Sequence, residues 1–356
     1  MTITTLGIPL APRELDGSAP SAGPLIDSYG RSATDLRVSL TDRCNLRCTY
    51  CMPAAGLPWL GAGQLLQPDE FVRLVRIAVT RLGVTKVRFT GGEPLLDKHL
   101  ERIVTAAAAL LPRPELALTT NGVLLAKRAP ALARAGLDRV NVSLDSVNFA
   151  NFAAITRRDR LADVLAGLAA ASAAGLRPVK VNAVLDPVNG LDDAVPLVRF
   201  CLEHDYQLRV IEQMPLDAGH EWQRQTMVTA DQVLAELRRH GFRLNPDETP
   251  RGAMPAALWQ ITDPVTGRTG KVGIVATVSQ PFCATCNRTR LTADGQLRSC
   301  LFATQETDLR ALLRDGVDDA GIEAAWRAAM WEKPAGHGIN APDFVQPKRS
   351  MSAIGG

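Results

Sequence analysis

Cys44-Asn45-Leu46-Arg47-Cys48-Thr49-Tyr50-Cys51 is the stretch that decides the fold of this chain. Its C-x3-C-x2-C spacing places three thiols within eight residues. Each iron of a [4Fe–4S] cube needs a ligand, so three thiolates from one loop leave one iron open to a small molecule. A structural zinc loop is the alternative, but zinc sites usually add a second Cys or His pair at a distance. Because no such pair follows nearby, the stretch favours an iron–sulfur cluster with a reactive iron.

Short β-rich runs alternate with amphipathic helical stretches from Thr34 onward. The strand candidates are 36–40, 86–90, 116–120, 139–144, 179–185 and 208–212. Between the first two, Pro68 suits the first turn of a helix, and Asp69 and Glu70 suit its positive end. Six strand–helix repeats predict a parallel sheet with right-handed crossovers. The predicted fold class is therefore α/β, a partial (βα)6 TIM-like barrel. A doubly wound open sheet is the competing arrangement, which periodicity alone leaves open.

The texture of the sequence divides the chain into three predicted parts. Residues 1–30 are rich in Pro, Gly, Ala and Ser without a period, which is typical of a flexible extension. Residues 31–246 hold the partial barrel. Residues 247–356 form a smaller α+β unit, packed at one end of the barrel and carrying the second cysteine group. Its predicted elements are strands at 258–262 and 270–275 and one helical segment at 307–331.

Size, charge and cysteine content exclude several classes of protein. The 356 residues are 46% hydrophobic and 22% charged, which is ordinary for a globular protein. A net charge of +3 is too small for non-specific nucleic-acid binding. The apolar stretch 103–111 is far shorter than the roughly 20 residues of a membrane span, and no secretory signal is expected at the N-terminus. Seven cysteines, six of them in two tight groups, indicate a reducing cytoplasm rather than disulfides.

Polar residues fall at the C-terminal ends of the predicted strands, where the loops of a parallel barrel converge on one mouth. The second strand ends in Thr90-Gly91-Gly92-Glu93-Pro94. A Gly-Gly-Glu there would bind the amino group of an amino-acid-like ligand through carbonyls and a carboxylate. The other strand ends are 119–122, 143–146 and 212–214, and Lys180 and Asn182 lie on the fifth strand.

Basic residues also occur where the barrel interior or mouth is expected. They are Arg37, Lys86, Arg88, Lys180 and Arg209. A charge within a β-rich run is costly unless it is paired. The set therefore predicts a polyanionic ligand, with Arg giving bidentate phosphate contacts and Lys a point charge. The alternative is that single members extend to solvent or pair with Glu93, Asp145 or Glu212.

A second cysteine group, Cys283, Cys286 and Cys300, has the spacing C-x2-C-x13-C. A zinc ribbon would need a fourth ligand, and His337 is the only downstream histidine. With a first cluster already indicated, a second cube with one exposed iron is favoured. Arg288 and Arg290 alternate in a β-like run and share one face, as a phosphate or base-edge clamp would require.

Together these stretches resemble the GTP 3′,8-cyclase family of radical S-adenosylmethionine (SAM) enzymes, which begin molybdenum cofactor biosynthesis. The likeness runs from about residue 37 to residue 356. It rests on Thr41–Pro53, Arg88–Pro94, Thr119–Gly122, Asn141–Asp145, Cys283–Arg290 and the terminal Gly355-Gly356. The N-terminal motifs alone specify only the radical SAM superfamily, and the C-terminal motifs narrow the likeness to this family.

The resemblance implies a role for each matching residue. Cys44, Cys48 and Cys51 would hold the cluster that binds SAM, and Cys283, Cys286 and Cys300 an auxiliary cluster that holds the substrate. The implied SAM contacts are Tyr50, Gly92, Ser143 and Met214. The implied GTP contacts are Arg37, Arg88, Thr119, Lys180, Arg288 and Arg290, joined by Lys86 and Arg209. Arg37, Arg288, Arg290, Gly355 and Gly356 would be catalytic, the two tail glycines by entering a narrow cavity.

The implied reaction converts GTP into (8S)-3′,8-cyclo-7,8-dihydroguanosine 5′-triphosphate. A 5′-deoxyadenosyl radical from SAM would remove the ribose C3′ hydrogen, and C3′ would then attack guanine C8. The implied cofactors are two [4Fe–4S] clusters and SAM. An electron donor and cyclic pyranopterin monophosphate synthase are the implied partners, a homodimer is left open, and neither nucleic acid nor a membrane is expected. The alternatives are a radical SAM peptide or porphyrin modifier with an auxiliary cluster, and an electron carrier with a zinc-stapled tail.

Overall fold

One twelve-stranded sheet organises the part of the chain that this computed structural model describes, namely Leu15, residues 17–188 and residues 190–355. The strands are β1 Asp35–Ser39, β2 Lys86–Thr90, β3 Glu115–Thr120, β4 Arg139–Ser143, β5 Lys180–Ala183, β6 Gln207–Ile211, β7 Arg243–Pro246, β8 Ala257–Thr262, β9 Thr269–Val275, β10 Arg288–Leu291, β11 Gln296–Arg298 and β12 Thr307–Asp308. Across the sheet they lie in the order β12-β11-β10-β1-β2-β3-β4-β5-β6-β9-β8-β7.

Helices connect the first six strands, all of which pair in parallel. The helices are α1 Pro68–Thr80, α2 Leu100–Ala108, α3 Leu125–Arg134, α4 Phe149–Thr156, α5 Leu161–Ala173, α6 Gly190–Glu203, α7 Ala230–Arg239, α8 Leu309–Arg314, α9 Asp319–Trp331 and α10 Met351–Ile354. Helix α1 begins at Pro68 as expected, and it buries Phe71, Leu74 and Ala78 in the main core. The predicted α/β fold with a partial barrel is confirmed, because β1 to β6 neighbour one another in chain order.

The C-terminal part of the chain adds strands to both edges of this six-stranded core. Strand β9 pairs in parallel with β6, and β10 pairs in parallel with β1. The prediction of a unit packed at one end of the barrel is therefore wrong. The edges of an open sheet present unpaired N–H and C=O groups, and the C-terminal strands satisfy these groups on both sides. This pairing sets Arg37 beside Arg290 on one flank and beside Arg88 on the other.

Two further expectations differ from the structure. The helical segment predicted over 307–331 is interrupted between α8 and α9. Gly316, just after α8, has a φ of 77°, and the Asp318 side chain then caps the start of α9 by accepting from Gly321 N. The predicted flexible extension over 1–30 is packed in its second half, where Leu25 is 1% and Asp27 0% exposed. Residues 1–14 and 16 lie outside the described residues.

Within the described ranges, none of the helices combines the length and apolarity that crossing a bilayer requires.

Candidate active site

A cavity of about 230 Å³ in the parallel sheet reaches from Tyr50 of the first cysteine loop to the second cysteine group. Tyr50 of the first cysteine loop lines one part of it, and Cys283, Cys286 and Cys300 line another. Most of the residues implied to contact SAM or GTP share this wall, namely Arg37, Tyr50, Arg88, Thr119, Ser143, Arg209, Met214, Arg288 and Arg290. Lys86, Gly92, Lys180 and Gly355 are described but do not line it, and Gly356 lies outside the described residues.

The first cysteine trio sits in the loop that follows β1. All three thiols are free and partly buried. The amide of Cys51 donates to Cys48 O at 3.0 Å, and Asn121 Nδ2 approaches Cys44 Sγ at 3.7 Å. Arg157 holds the outer side of the loop by donating to the carbonyls of Arg47 and Met52 at 2.9 Å each. Free thiols on one short, anchored loop fit the ligand set of an iron–sulfur cube.

Burial and nearby carboxylates raise the thiol pKa values of this trio. Burial is the largest cause for Cys44 and Cys48. The carboxylate that raises the pKa further is Glu93 for Cys44 and Asp145 for Cys48. Burial raises the pKa of Cys51 to about 12, with Cys44 and Asp217 adding to the effect. Ligation by a metal would have to displace these protons, since the thiolate is the form that binds.

Tyr50 links the first loop to the end of β4. Its hydroxyl donates to Asp145 Oδ2 at 2.8 Å, and Asp145 Oδ1 accepts from Val184 N at 2.8 Å. Burial raises the pKa of Asp145 to about 6, although both hydrogen bonds oppose the shift. The aromatic ring is thereby fixed against the cavity in which Ser143 and Met214 also lie.

The Gly-Gly-Glu stretch serves the chain itself, which corrects the expected ligand contact by Glu93. The Glu93 carboxylate is 1% exposed and accepts from Thr120 Oγ1 and Asn121 N, both at 2.7 Å, and from Leu95 N at 2.9 Å. A Cβ on Gly92 would lie 2.3 Å from Arg43 O. The missing side chains therefore let the cysteine loop pack on the end of β2, and the carboxylate joins that strand end to the next.

Three arginines of the cavity wall are buried without a partner for one donor. The Nε atoms of Arg37, Arg88 and Arg209 have no hydrogen-bond partner among the described residues. Asp35 Oδ2 lies 4.0 Å from Arg88 Nη2, and the charge of Asp35 also acts on Arg37. Because buried unpaired donors are costly, these arginines fit an anionic ligand in the cavity.

Burial, together with repulsion between neighbouring cations, lowers the pKa values of the basic residues around the cavity. Burial, followed by the charge of Arg88, lowers the pKa of Arg37 to about 9. Burial also lowers the pKa of Arg88 and of Arg209 to about 10 each. Burial, followed by the charge of Arg209, lowers the pKa of Lys180 to about 7. A bound polyanion would relieve this repulsion.

Lys86 differs from the other basic residues. Its Nζ lies 3.0 Å from Glu115 Oε2, and Arg139 shares the same carboxylate. The carboxylates that were expected to pair with the basic residues, Glu93, Asp145 and Glu212, form hydrogen bonds with other groups. The alternative of a structural ion pair nevertheless applies to Lys86, whose partner is Glu115. The sequence did not indicate this ion pair, because the predicted third strand begins at residue 116, whereas β3 begins at Glu115 and sets it beside Lys86.

The second cysteine trio lies against positive charge. Arg288 Nε donates to Cys286 Sγ at 3.3 Å. Burial alone would raise the pKa of the Cys286 thiol, but Arg288 and Lys333 lower it to about 6. A sulfur that already carries thiolate character fits an iron ligand.

His337 is not disposed as a fourth zinc ligand of this trio. Its Nε2 lies 2.9 Å from Thr277 O, and its Nδ1 accepts from Ile339 N at 3.1 Å. Both ring nitrogens are thus used within the chain. Within the described ranges no three His, Cys, Asp or Glu side chains converge on a site for a single metal ion, so the second trio is not arranged as a mononuclear zinc site.

The C-terminal tail reaches the strand ends beneath the cavity. Ser39 Oγ donates to Ile354 O at 2.9 Å, and Arg290 Nη1 donates to Gly355 O. Gly355 has a φ of 83°, and a Cβ there would lie 2.1 Å from Ser39 Oγ. Only glycine fits this position, so the tail is built for close approach.

Sequence reasoning left some wall residues without a role. Asn182 lines the cavity with a buried, unpartnered Oδ1; its place on the fifth strand was visible, but one amide is too common a feature to assign. Phe282 stacks under Arg288, with the guanidinium carbon 4.8 Å from the ring centroid. Its position directly before Cys283 was the available signal.

The fold and site define a radical SAM protein. Residues 38–201 match the family described as Radical SAM superfamily, and residues 206–339 match Molybdenum Cofactor Synthesis C. In structure the chain is similar to Streptococcus suis SuiB bound to S-adenosylmethionine, with a TM-score of 0.56 and 13% identity over 90% of this chain and 75% of that one. At that identity the likeness concerns the fold alone.

Sequence relatives narrow the class. The chain is 68% identical to the GTP 3′,8-cyclase of Mycolicibacterium smegmatis and 69% identical to GTP 3′,8-cyclase 2 of Mycobacterium tuberculosis, with all of each chain covered. The chain belongs to the GTP 3′,8-cyclase family. The resemblance found in the sequence is therefore confirmed.

Proposed function

We propose that this chain converts GTP into (8S)-3′,8-cyclo-7,8-dihydroguanosine 5′-triphosphate, the first step of molybdenum cofactor biosynthesis. The observation that carries the proposal is the cavity that reaches from Tyr50 of the first cysteine loop to the second cysteine trio. It is lined by arginines whose buried Nε atoms have no hydrogen-bond partner among the described residues. A triphosphate would supply anionic hydrogen-bond partners for these arginines. The family membership supports the same substrate.

Cys44, Cys48 and Cys51 would hold one [4Fe–4S] cluster, and Cys283, Cys286 and Cys300 a second. When bound, the first cluster and SAM supply the 5′-deoxyadenosyl radical that abstracts the ribose C3′ hydrogen of GTP. Tyr50, Gly92, Ser143 and Met214 would hold SAM at its end of the cavity. The protein positions the two reactants and keeps competing hydrogen donors away from the radical.

The GTP end is assigned to the cationic wall. Arg37, Arg88 and Arg209 would bind the phosphates, since all three line the cavity and each has a buried Nε without a partner among the described residues. Arg288 and Arg290 would orient the nucleotide beside the second trio, and Thr119 would contact it from β3. Lys180 stands behind this wall as a further positive charge, while Lys86 is engaged by Glu115 and contributes at most indirectly.

The tail would complete the site. Gly355 is held by Arg290 and therefore lies next to a residue that is proposed to bind GTP. We assign Gly355 and Gly356 a role in the radical step, because a tail without side chains can approach the substrate closely. An electron donor, transfer of the product to cyclic pyranopterin monophosphate synthase and a cytoplasmic setting belong to the same proposal. All seven cysteines are free thiols, which is consistent with a reducing compartment.

Anaerobic reconstitution followed by incubation with SAM, GTP and a strong reductant tests the proposal. We expect 5′-deoxyadenosine and a cyclised nucleotide to form together, and about eight irons per chain with negligible zinc. A peptide or porphyrin that reacts while GTP does not would favour the alternative radical SAM activities. Zinc in the second trio would favour the electron carrier.

A further inference from the structure

The segment 25–33, to which the sequence assigned no chemistry, packs beside the second cysteine loop. It closes on itself, since Ala33 N donates to Leu25 O at 2.7 Å and Ile26 bridges to Ser32. It is docked on two helix ends, through Leu25 N to Leu82 O at 3.2 Å and Ser28 N to Trp331 O at 3.3 Å. We call residues 25–33 the N-terminal clasp.

Arg31 projects from the clasp to the loop that carries Cys283. Its side chain is 6% exposed, and its Nε donates to Asp27 Oδ2 at 2.6 Å. Asp27 also accepts from the amides of Tyr29 and Arg31, so the ion pair is preset by local geometry. From there Nη1 donates to Cys283 O at 2.9 Å and to Ala335 O at 2.7 Å, and Nη2 donates to Pro334 O at 2.7 Å.

Lys333 supports the same loop from the end of α9. It is 2% exposed, and its Nζ donates to Cys286 O at 3.2 Å and to Arg288 O at 2.9 Å. Its charge acts on the Cys286 and Cys300 sulfurs, and it also feels the charge of Arg31. Two buried cations thus bind the carbonyl oxygens of two of the three cysteines.

Neither cation is placed to recognise a ligand, because its donors go to backbone carbonyls, apart from Arg31 Nε, which donates to Asp27. Their charge, however, lies beside sulfurs that would carry iron. The potential of an iron–sulfur cluster depends on the charge and hydrogen bonding around it. Since reduction adds negative charge to the cluster, a fixed positive charge nearby favours the reduced state, and burial leaves that effect poorly screened.

We propose that Arg31 and Lys333 are positioning residues for the second cluster, which fix the backbone of Cys283 and Cys286 and raise the cluster's reduction potential. The inference rests on the proposed function, because it requires a cluster on the second trio. It gives the N-terminal clasp a role in the reaction although no clasp residue lines the cavity.

A redox titration of the full-length holoenzyme, followed by electron paramagnetic resonance, tests this inference. In Lys333→Met and Arg31→Gln we expect the ratio of reduced to oxidised second cluster to fall at least about tenfold at a fixed potential, which is the effect of a unit charge at about 12 Å and an effective dielectric constant of about 20. For a one-electron couple this is a shift of about 59 mV to more negative potential. The first cluster should keep its midpoint, and Lys333→Arg and Arg31→Lys should restore most of the shift.

Arg327→Gln is the matched control. Arg327 is a buried arginine that binds the chain just before the clasp, donating to Gly23 O at 2.8 Å and to Glu323, but it touches no cysteine. An unchanged second midpoint in Lys333→Met and Arg31→Gln, or an equal shift in Arg327→Gln, would overturn the inference. Selective loss of about four irons from the charge-removing variants would support it. Wild-type protein that holds only about four irons would instead overturn the proposed function itself.

Discussion

The two cysteine trios differ in spacing, C-x3-C-x2-C against C-x2-C-x13-C, and in the charges that surround them. Around the first trio the interacting charges include carboxylates, with Glu93 acting on Cys44 and Asp145 on Cys48. Around the second trio they include cations, with Arg288 and Lys333 lowering the pKa of Cys286 to about 6. Because negative neighbours disfavour adding an electron and positive neighbours favour it, the first cluster should be the stronger reductant.

This difference matches the work that each trio would do. Cleaving SAM requires a strongly reducing cluster, whereas holding a nucleotide requires positive charge and a fixed frame. Of the arginines that line the cavity, Arg37 and Arg290 interact electrostatically with cysteines of the second trio, and Arg288 also donates to Cys286 Sγ. Four experiments test this contrast between the trios.

Removing a ligand of the second trio should abolish the reaction. In Cys283→Ala we expect GTP conversion to fall below detection while the first cluster persists, so that iron drops by about half. Cys201→Ala is the control, since Cys201 is a buried thiol outside both trios. Iron analysis and product chromatography measure both variants, and unchanged turnover in Cys283→Ala would remove the second cluster from the mechanism.

Removing one cavity arginine should weaken GTP binding without affecting SAM. For Arg88→Ala we expect a loss of about 1.5–3 kcal/mol, roughly 10- to 150-fold in affinity, as for a charged hydrogen bond. Arg128→Ala serves as the control, because Arg128 is paired with Glu101 away from the cavity. Calorimetric titration of each holoenzyme with GTP and with SAM makes the measurement. Equal GTP affinity in the two variants would contradict an anion site at Arg88.

Displacing the tail should slow turnover while both clusters remain. A methyl group at Gly355 would meet Ser39 Oγ at 2.1 Å, so Gly355→Ala should cost about 1–3 kcal/mol of strain and reduce turnover about tenfold or more. Gly338→Ala has the same sign of φ, 71°, but nothing within 4 Å of the new methyl group. Steady-state rates compare the two. The second substitution Ser39→Gly should recover part of the loss, and no recovery would argue against this contact.

The smallest expected effect is a pH dependence carried by Lys180. Burial, followed by Arg209, lowers its pKa to about 7, so the side chain is charged below that pH and neutral above it. Attraction for GTP should therefore weaken as pH rises from 6 to 8, by about tenfold at most. Lys180→Arg should remain charged and flatten the profile of GTP affinity. A wild-type profile that coincides with that of Lys180→Arg would exclude Lys180 as the titrating group.

Features with a short period were predictable from the sequence. Strand β2 was placed at Lys86–Thr90, as observed, and α1 at Pro68, because alternation and first-turn chemistry are local signals. The arginines of the cavity followed from charge inside β-rich runs. Even so, the register that sets Arg37 beside Arg290 could not be read, since it joins segments more than 250 residues apart.

Features that depend on distant backbone partners were not predictable. Arg31 directly follows the predicted flexible extension and had no predicted role, yet its partners Cys283 and Ala335 lie 252 and 304 residues away. Glu93 looked like a ligand because of its glycine neighbours, but its bonds go to Thr120 and Asn121 across the strand ends. Neither set of contacts could be predicted from residue types, because most of the partners are backbone carbonyls and amides, which nearly every residue carries.

The most direct test of the contrast between the trios is the order in which the two clusters of the wild-type holoenzyme are reduced. A single anaerobic titration without SAM or GTP, with the two signals assigned by Cys48→Ala and Cys283→Ala, gives both midpoints. The charges around Glu93, Asp145, Arg288 and Lys333 predict the higher potential for the cluster on Cys283, Cys286 and Cys300. Equal midpoints, or the reverse order, would contradict the account.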